Sequence, residues 1–163
     1  MSDFAQARTP GRVKFLVCVD QRPQSRVAAR YASMRARNTG GRLALLHVLE
    51  PAEFQHWMAV GDVMEEERRL EAEMLVQSVS TEVRELVGSV PEVVLREGDI
   101  GEEILAQVED DPTIDLLVVG AAAPDDKRFS LITFLAGKLV GNLSIPLVVV
   151  PSNLTDAQIE NMT

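Results

Sequence analysis

With 163 residues, 46% of them apolar, the chain has the length of one domain and enough apolar material for a full core, which excludes global disorder. A net charge of −9 excludes nonspecific binding to nucleic acid or to an anionic membrane. The charge is uneven: residues 1–60 hold nine Lys/Arg against four Asp/Glu and residues 61–163 hold seven against twenty-one, which predicts two differently charged faces of one domain.

No run reaches the roughly 18 apolar residues of a membrane-spanning helix, and the start, MSDFAQARTPGR, lacks the apolar stretch of a secretion signal. A cytoplasmic protein is expected. Cys18 is the single cysteine, so no disulfide forms within the chain; its place in an apolar run predicts a buried, inert thiol.

Residues 1–11 read as a flexible tail ending at Pro10-Gly11. Val13 to Val19 is the first predicted strand, closed by Asp20, and Ser25 stands where a helix N-cap belongs. The first helix is expected over 26–38, with Ala28, Ala32 and Ala36 as a small-residue strip against a sheet and Gly40-Gly41 as its stop. Arg22, Arg26, Arg30 and Arg37 fall close together on its wheel and read as a solvated face. Leu43 to Leu49 is the second strand. His47 within it reads as a packed histidine, because neither it nor His56 has a partner at metal-ligand spacing.

Residues 52–61, with Trp57 and Met58, form a connection ahead of a long helix expected over 62–87. Its predicted apolar stripe is Val63, Leu70, Met74, Val79, Val83 and Leu86, and Glu65, Glu66 and Glu67 suit its N-terminal dipole. Glu92 to Arg96 is the third strand. A helix from about Ile100 follows and stops at Asp110-Asp111-Pro112. Leu116 to Val119, closed by Gly120, and Ile145 to Val150 are two more apolar runs, of the kind seen in strands buried on both faces. A polar loop and a short apolar helix are expected between them, with Gly137 and Gly141 as a close-packing strip. Thr155 is placed to cap a terminal helical turn in the 152–163 tail.

Strands alternating with helices predict an α/β domain: one parallel sheet covered on both faces, with ligands beyond the carboxyl ends of its strands. The loop after Gly120 therefore occupies the expected functional position.

These blocks carry a resemblance. Val17-Cys18-Val19-Asp20 with Ser25, Leu45-Leu46-His47-Val48, Glu97-Gly98-Asp99 with Glu102-Glu103-Ile104-Leu105, Asp115 to Gly120 and Ile145 to Val150 together resemble the universal stress protein family over residues 12–151. The resemblance implies a Rossmann-like, doubly wound five-stranded parallel sheet in order 3-2-1-4-5. It also implies a homodimer joined through the last strand, Ile145 to Val150. Some members bind ATP. In them the adenine pocket uses the positions matched here by Asp20 and Val48, and the phosphate loop reads Gly-x2-Gly-x9-Gly-Ser/Thr.

Here Gly120 matches the first glycine and Ala123 stands at the second. Counting back from Pro146 places Thr133-Phe134 at the last pair. A shifted register uses Gly137, but Lys138 follows it and the spacing from Gly120 is longer than in the motif. Asp125-Asp126 repels a triphosphate, while Lys127, Arg128, Ser130 and Thr133 compensate in part. The implied cofactor-binding set is Asp20, Val48, Gly120, Ser130 and Thr133. The implied function is a stress-response regulatory module acting through homodimerisation and contacts with a protein partner. No cofactor is required, and an adenine nucleotide, ATP or AMP, binds weakly if at all. The alternative is an adenine-nucleotide-binding stress-response protein with an altered phosphate loop. An enzyme, for example a slow nucleotide hydrolase, rests on fold analogy alone, since the sequence has no Walker motif or nucleophile elbow.

Overall fold

The computed structural model describes residues 13–51, 58–122 and 139–163, the first five of the second stretch by backbone alone. In chain order the elements are β1 (Lys14–Cys18), α1 (Pro23–Thr39), β2 (Arg42–Leu49), α2 (Met58–Val87), β3 (Glu92–Glu97), α3 (Ile100–Asp110), β4 (Leu116–Gly120), β5 (Leu147–Val150) and α4 (Asp156–Met162). The strands form a single five-stranded sheet in the order β3-β2-β1-β4-β5, every pair parallel. The fold class is as the sequence predicts, and the strand order is the one the family resemblance implies.

The near-continuous apolar runs of β1, β2 and β4 are explained by burial on both faces, whereas β5, at the sheet edge, is only half-buried and leaves Val149 exposed. Successive side chains of a strand point to opposite faces, and the core divides accordingly. Phe15, Val17, Leu43, Leu45 and Val118 pack with Ala28, Ala32, Val79 and Val83 of α1 and α2. Leu16, Cys18, Leu46, Leu117 and Val119 pack on the opposite face with Ile104 and Val108 of α3 and with Leu139. The alanine strip of α1 is fully buried, as expected. Burial pushes the Cys18 thiol up to about 12, with the Asp20 carboxylate adding to the shift, so it stays protonated and inert.

Four local expectations are corrected. Ser25 is not the N-cap: α1 begins at Pro23 with Arg22 as N-cap, because proline needs no N–H partner in the first position of a helix, and Ser25 is the third residue of the helix. The stripe of α2 is misplaced in its first half: Val63, Leu70 and Met74 are exposed, while Ala72, Leu75, Val76, Val79 and Val83 are buried. The arginines of α1 do not form a purely solvated face. Arg26 pairs with Glu82 of α2, and Arg30 Nε lies 2.9 Å from Asp156 of α4. Gly141 lies in a turn rather than a packed helix, and no described atom stands within 4 Å of the Cβ it lacks. Gly137, the rest of the expected helix before β5, and the 1–11 tail lie outside the described residues.

Two devices fix the ends of the domain. At the amino ends of the strands the Lys14 ammonium is buried, bonded to Asp111 at 2.6 Å and paired with Glu92 at 2.5 Å. Its backbone N–H donates to Asp115 at 2.9 Å. Burial opposes the charge on Lys14, but its bonds to Asp111 and Glu92 prevail and raise its pKa. The same pairing outweighs burial at Asp111 and lowers its pKa. At the carboxyl terminus α4 carries a full capping box between Thr155 and Gln158 and buries Ile159, so the cap expected at Thr155 is present.

Candidate functional site

Opposite the Lys14 anchor, where β1 and β2 end, the sheet opens into a cleft of about 310 Å³. Asp20, His47, Val48, Arg68, Glu71 and Ile104 lie on its walls. The cleft is thus bounded by the turn from β1 into α1, the end of β2, one face of α2 and the start of α3. It is the crevice beyond strand ends where ligands bind in open α/β sheets.

The elements fix each wall. Val19 continues the line of β1 by donating its N–H to the Leu46 carbonyl at 2.9 Å. His47 holds the same residue from β2, its Nδ1 lying 2.7 Å from the Val19 carbonyl. A carbonyl only accepts, so Nδ1 carries the proton and donates. His47 is half-buried on the cleft wall with its Nδ1 satisfied, in keeping with a structural role for that nitrogen. Asp20 follows at once, half-buried, with one carboxylate oxygen accepting the Arg22 N–H at 2.7 Å. Among the described residues no other donor reaches that carboxylate. Arg68 of α2 donates to the Glu50 carbonyl just past β2.

The charges around the cleft disfavour a strongly anionic ligand. Asp20, Glu50 and Glu71 line it against Arg22 and Arg68. A second groove beside it is lined by Glu65, Glu66 and Glu97 with Arg68 and Arg69. Carboxylates therefore outnumber guanidinium groups on the described walls, which disfavours a polyphosphate there.

Of the predicted site residues, Asp20 and Val48 are brought together on one cleft. Gly120 ends β4, two strands from Val48 in the sheet order, and packs against the first turn of α1. A Cβ on Gly120 would lie 2.3 Å from the Gln24 carbonyl oxygen, so the position requires glycine for packing alone. Ser130 and Thr133 lie outside the described residues, as do Trp57 and His56. Sequence reasoning missed Arg68 and Glu71 as cleft residues. Their signal was present: with Ala72 and Leu75 they share one side of α2, but the misplaced stripe hid it.

A sheet of this order, with its cleft at the ends of β1 and β2, matches the expectation raised by the sequence blocks, and direct comparison decides the family. The model of the universal stress protein family matches residues 12–151. The chain belongs to the universal stress protein family. Among solved structures, universal stress protein UspA from Lactobacillus plantarum superposes with a TM-score of 0.72 at 18% identity, over 85% of this chain and 97% of that one. The universal stress protein from Archaeoglobus fulgidus in complex with dAMP gives 0.60 at 17% identity, over 85% and 97% of the two chains. A family protein from Arabidopsis thaliana with AMP bound gives 0.62 at 18% identity, over 86% and 92%. At such identities the likeness establishes the shared fold. No curated protein matches the chain by sequence. Among the described residues no helix is long and apolar enough to cross a membrane.

Proposed function

We propose that this chain is a universal-stress-type regulatory module of the cytoplasm, acting by homodimerisation and contact with a protein partner rather than by catalysis. Its cleft takes the adenine end of a nucleotide and holds a polyphosphate poorly. The observation that carries this reading is the meeting of Asp20 and Val48 on one cleft at the ends of β1 and β2. The family resemblance assigns those two positions to adenine, and two structural relatives carry AMP and dAMP.

The phosphate side supports weak binding. By the ungapped register the sequence has Ala123, Thr133 and Phe134 where ATP-binding members have two glycines and a hydroxyl. Each lost donor costs about 0.5–1.5 kcal/mol net, and about 1.4 kcal/mol is tenfold in affinity. The carboxylate surplus on the described walls acts in the same direction.

Calorimetry with AMP and with magnesium ATP tests the reading. Both ligands are expected to bind comparably, no tighter than the high micromolar range, and Asp20→Ala is expected to weaken both. Submicromolar ATP affinity, well above that for AMP, would overturn it and favour the second reading, a nucleotide-responsive protein whose altered phosphate loop still works.

A further inference from the structure

Helix α1 begins without a capping side chain: Arg22 occupies the N-cap position and makes no side-chain cap. The turn before it is closed from inside the helix instead. The Ser25 hydroxyl accepts the Asp20 N–H at 3.1 Å and donates to the Asp20 carbonyl at 2.8 Å, with the Arg22 carbonyl as a second acceptor at 3.2 Å. A serine hydroxyl has one proton and two lone pairs, so this single group grips both backbone polar atoms of Asp20. Ser25 is 3% exposed, which keeps water from replacing it. With the backbone held, the Asp20 carboxylate meets the Arg22 N–H at 2.7 Å and closes the turn. Upstream, Leu46 and His47 hold Val19 on both sides. The aspartate is thus presented to the cleft by a turn whose preceding residue is fixed and whose own backbone is clamped.

We infer that Ser25 is a positioning residue for the cleft: it sets the direction of the Asp20 carboxylate and so the affinity for an adenine nucleotide. The inference rests on the reading of the cleft given above. Ser25 does not line the cleft, so it acts through the turn it holds: both backbone polar atoms of Asp20 and, more weakly, the Arg22 carbonyl. Removing the hydroxyl leaves the Asp20 N–H without its partner and frees the turn to sample other carboxylate directions.

Two measurements on Ser25→Ala and the conservative Ser25→Thr test this. In the ligand-free protein, amide exchange at Arg22 reads the carboxylate's placement, because that N–H donates to it. Ser25→Ala is expected to speed Arg22 exchange about tenfold, Ser25→Thr to restore it, and the amides of β2 to keep their rates. In AMP titrations Ser25→Ala is expected to weaken binding about five- to tenfold. Ser25→Thr restores it, and the Ser25→Ala change adds nothing on an Asp20→Ala background. Unchanged Arg22 exchange in Ser25→Ala overturns the inference. A loss of AMP affinity that persists in the Asp20→Ala background also overturns it, since that marks a general structural role. If the wild type takes up no AMP, the reading of the cleft fails, and Arg22 exchange alone then decides whether Ser25 holds the turn.

Discussion

Gly120→Ala tests whether the first glycine of the expected phosphate motif is required by the fold itself. The added Cβ would sit 2.3 Å from the Gln24 carbonyl oxygen and 2.6 Å from its carbon. Both atoms are backbone, so no side-chain rotation relieves the clash. Ordinary van der Waals contact begins near 3.4 Å, and the first turn of α1 must therefore retreat by about an ångström. Overpacking of this kind costs about 1–3 kcal/mol, and each kcal/mol lowers the melting temperature of a chain this size by about 2–4 °C. Because Gln24 lies between Asp20 and the body of α1, the retreat also disturbs the cleft. Gly141→Ala is the control: its Cβ meets no described atom within 4 Å and its φ lies outside the left-handed region. That change is expected to be neutral or to stabilise by a few tenths of a kcal/mol through the unfolded state. Urea unfolding of both variants decides the matter. A Gly120→Ala protein as stable as the wild type would refute the packing argument, and so would equal losses in the two variants.

Lys14→Met removes an ammonium that joins the start of β1 to Asp111 and Glu92, and is expected to cost about 1.5–3 kcal/mol. Asp111→Ala leaves that ammonium buried with one partner fewer and is expected to cost at least as much, measured by urea unfolding. The pH dependence follows from the two shifts. The Lys14 contribution is full below its ordinary value of 10.5 and is lost as pH rises through its raised folded value. The Asp111 contribution is full above its ordinary value of 3.8 and is lost as pH falls through its lowered folded value. The gap between wild type and Lys14→Met is therefore widest between those limits and closes at both ends; a flat gap would contradict the pairing. For assembly, β5 is an edge strand on which Val149 is 41% exposed, so two copies are expected to pair antiparallel there. Val149→Asp should shift sedimentation towards monomer, and a wild type already monomeric at micromolar concentration would refute that interface.

How far the sequence could be read depended on what buries each element. Strands β1, β2 and β4 were legible because a strand covered on both faces must be apolar nearly throughout, and they are runs of that kind. Helix α2 was legible in extent but not in orientation. At about 1.5 Å per residue its 30 residues span roughly 45 Å, against roughly 26 Å for the eight residues of β2. A helix that long cannot be packed along its whole length by one strand, so the apolar side chains of its first half carry no information about its buried side. The small Ala72 does, because it sits where the helix meets the end of β2. The start of α1 was misread for a related reason. A serine ahead of a helical pattern signals an N-cap only if the helix starts after it, and Pro23 let the helix start two residues before it. Asp20 and Val48 were named through the family resemblance, and the structure brings both to the wall of one cleft.

The two halves of the expected nucleotide site therefore rest on different kinds of evidence. A glycine at the end of β4 counts for phosphate binding only if the fold would tolerate another residue there, and the Gln24 carbonyl shows that it would not. Gly120 is explained without any ligand, so its agreement with the motif lends no weight to a polyphosphate site. Asp20 differs. A half-buried carboxylate at the lip of a cleft adds nothing to the core, yet the Arg22 N–H and the Ser25 hydroxyl are both spent on fixing it and its backbone. Groups are held this closely when direction matters more than burial. On that asymmetry the proposed adenine side of the cleft, rather than the expected phosphate loop, is where binding by this chain should be measured first.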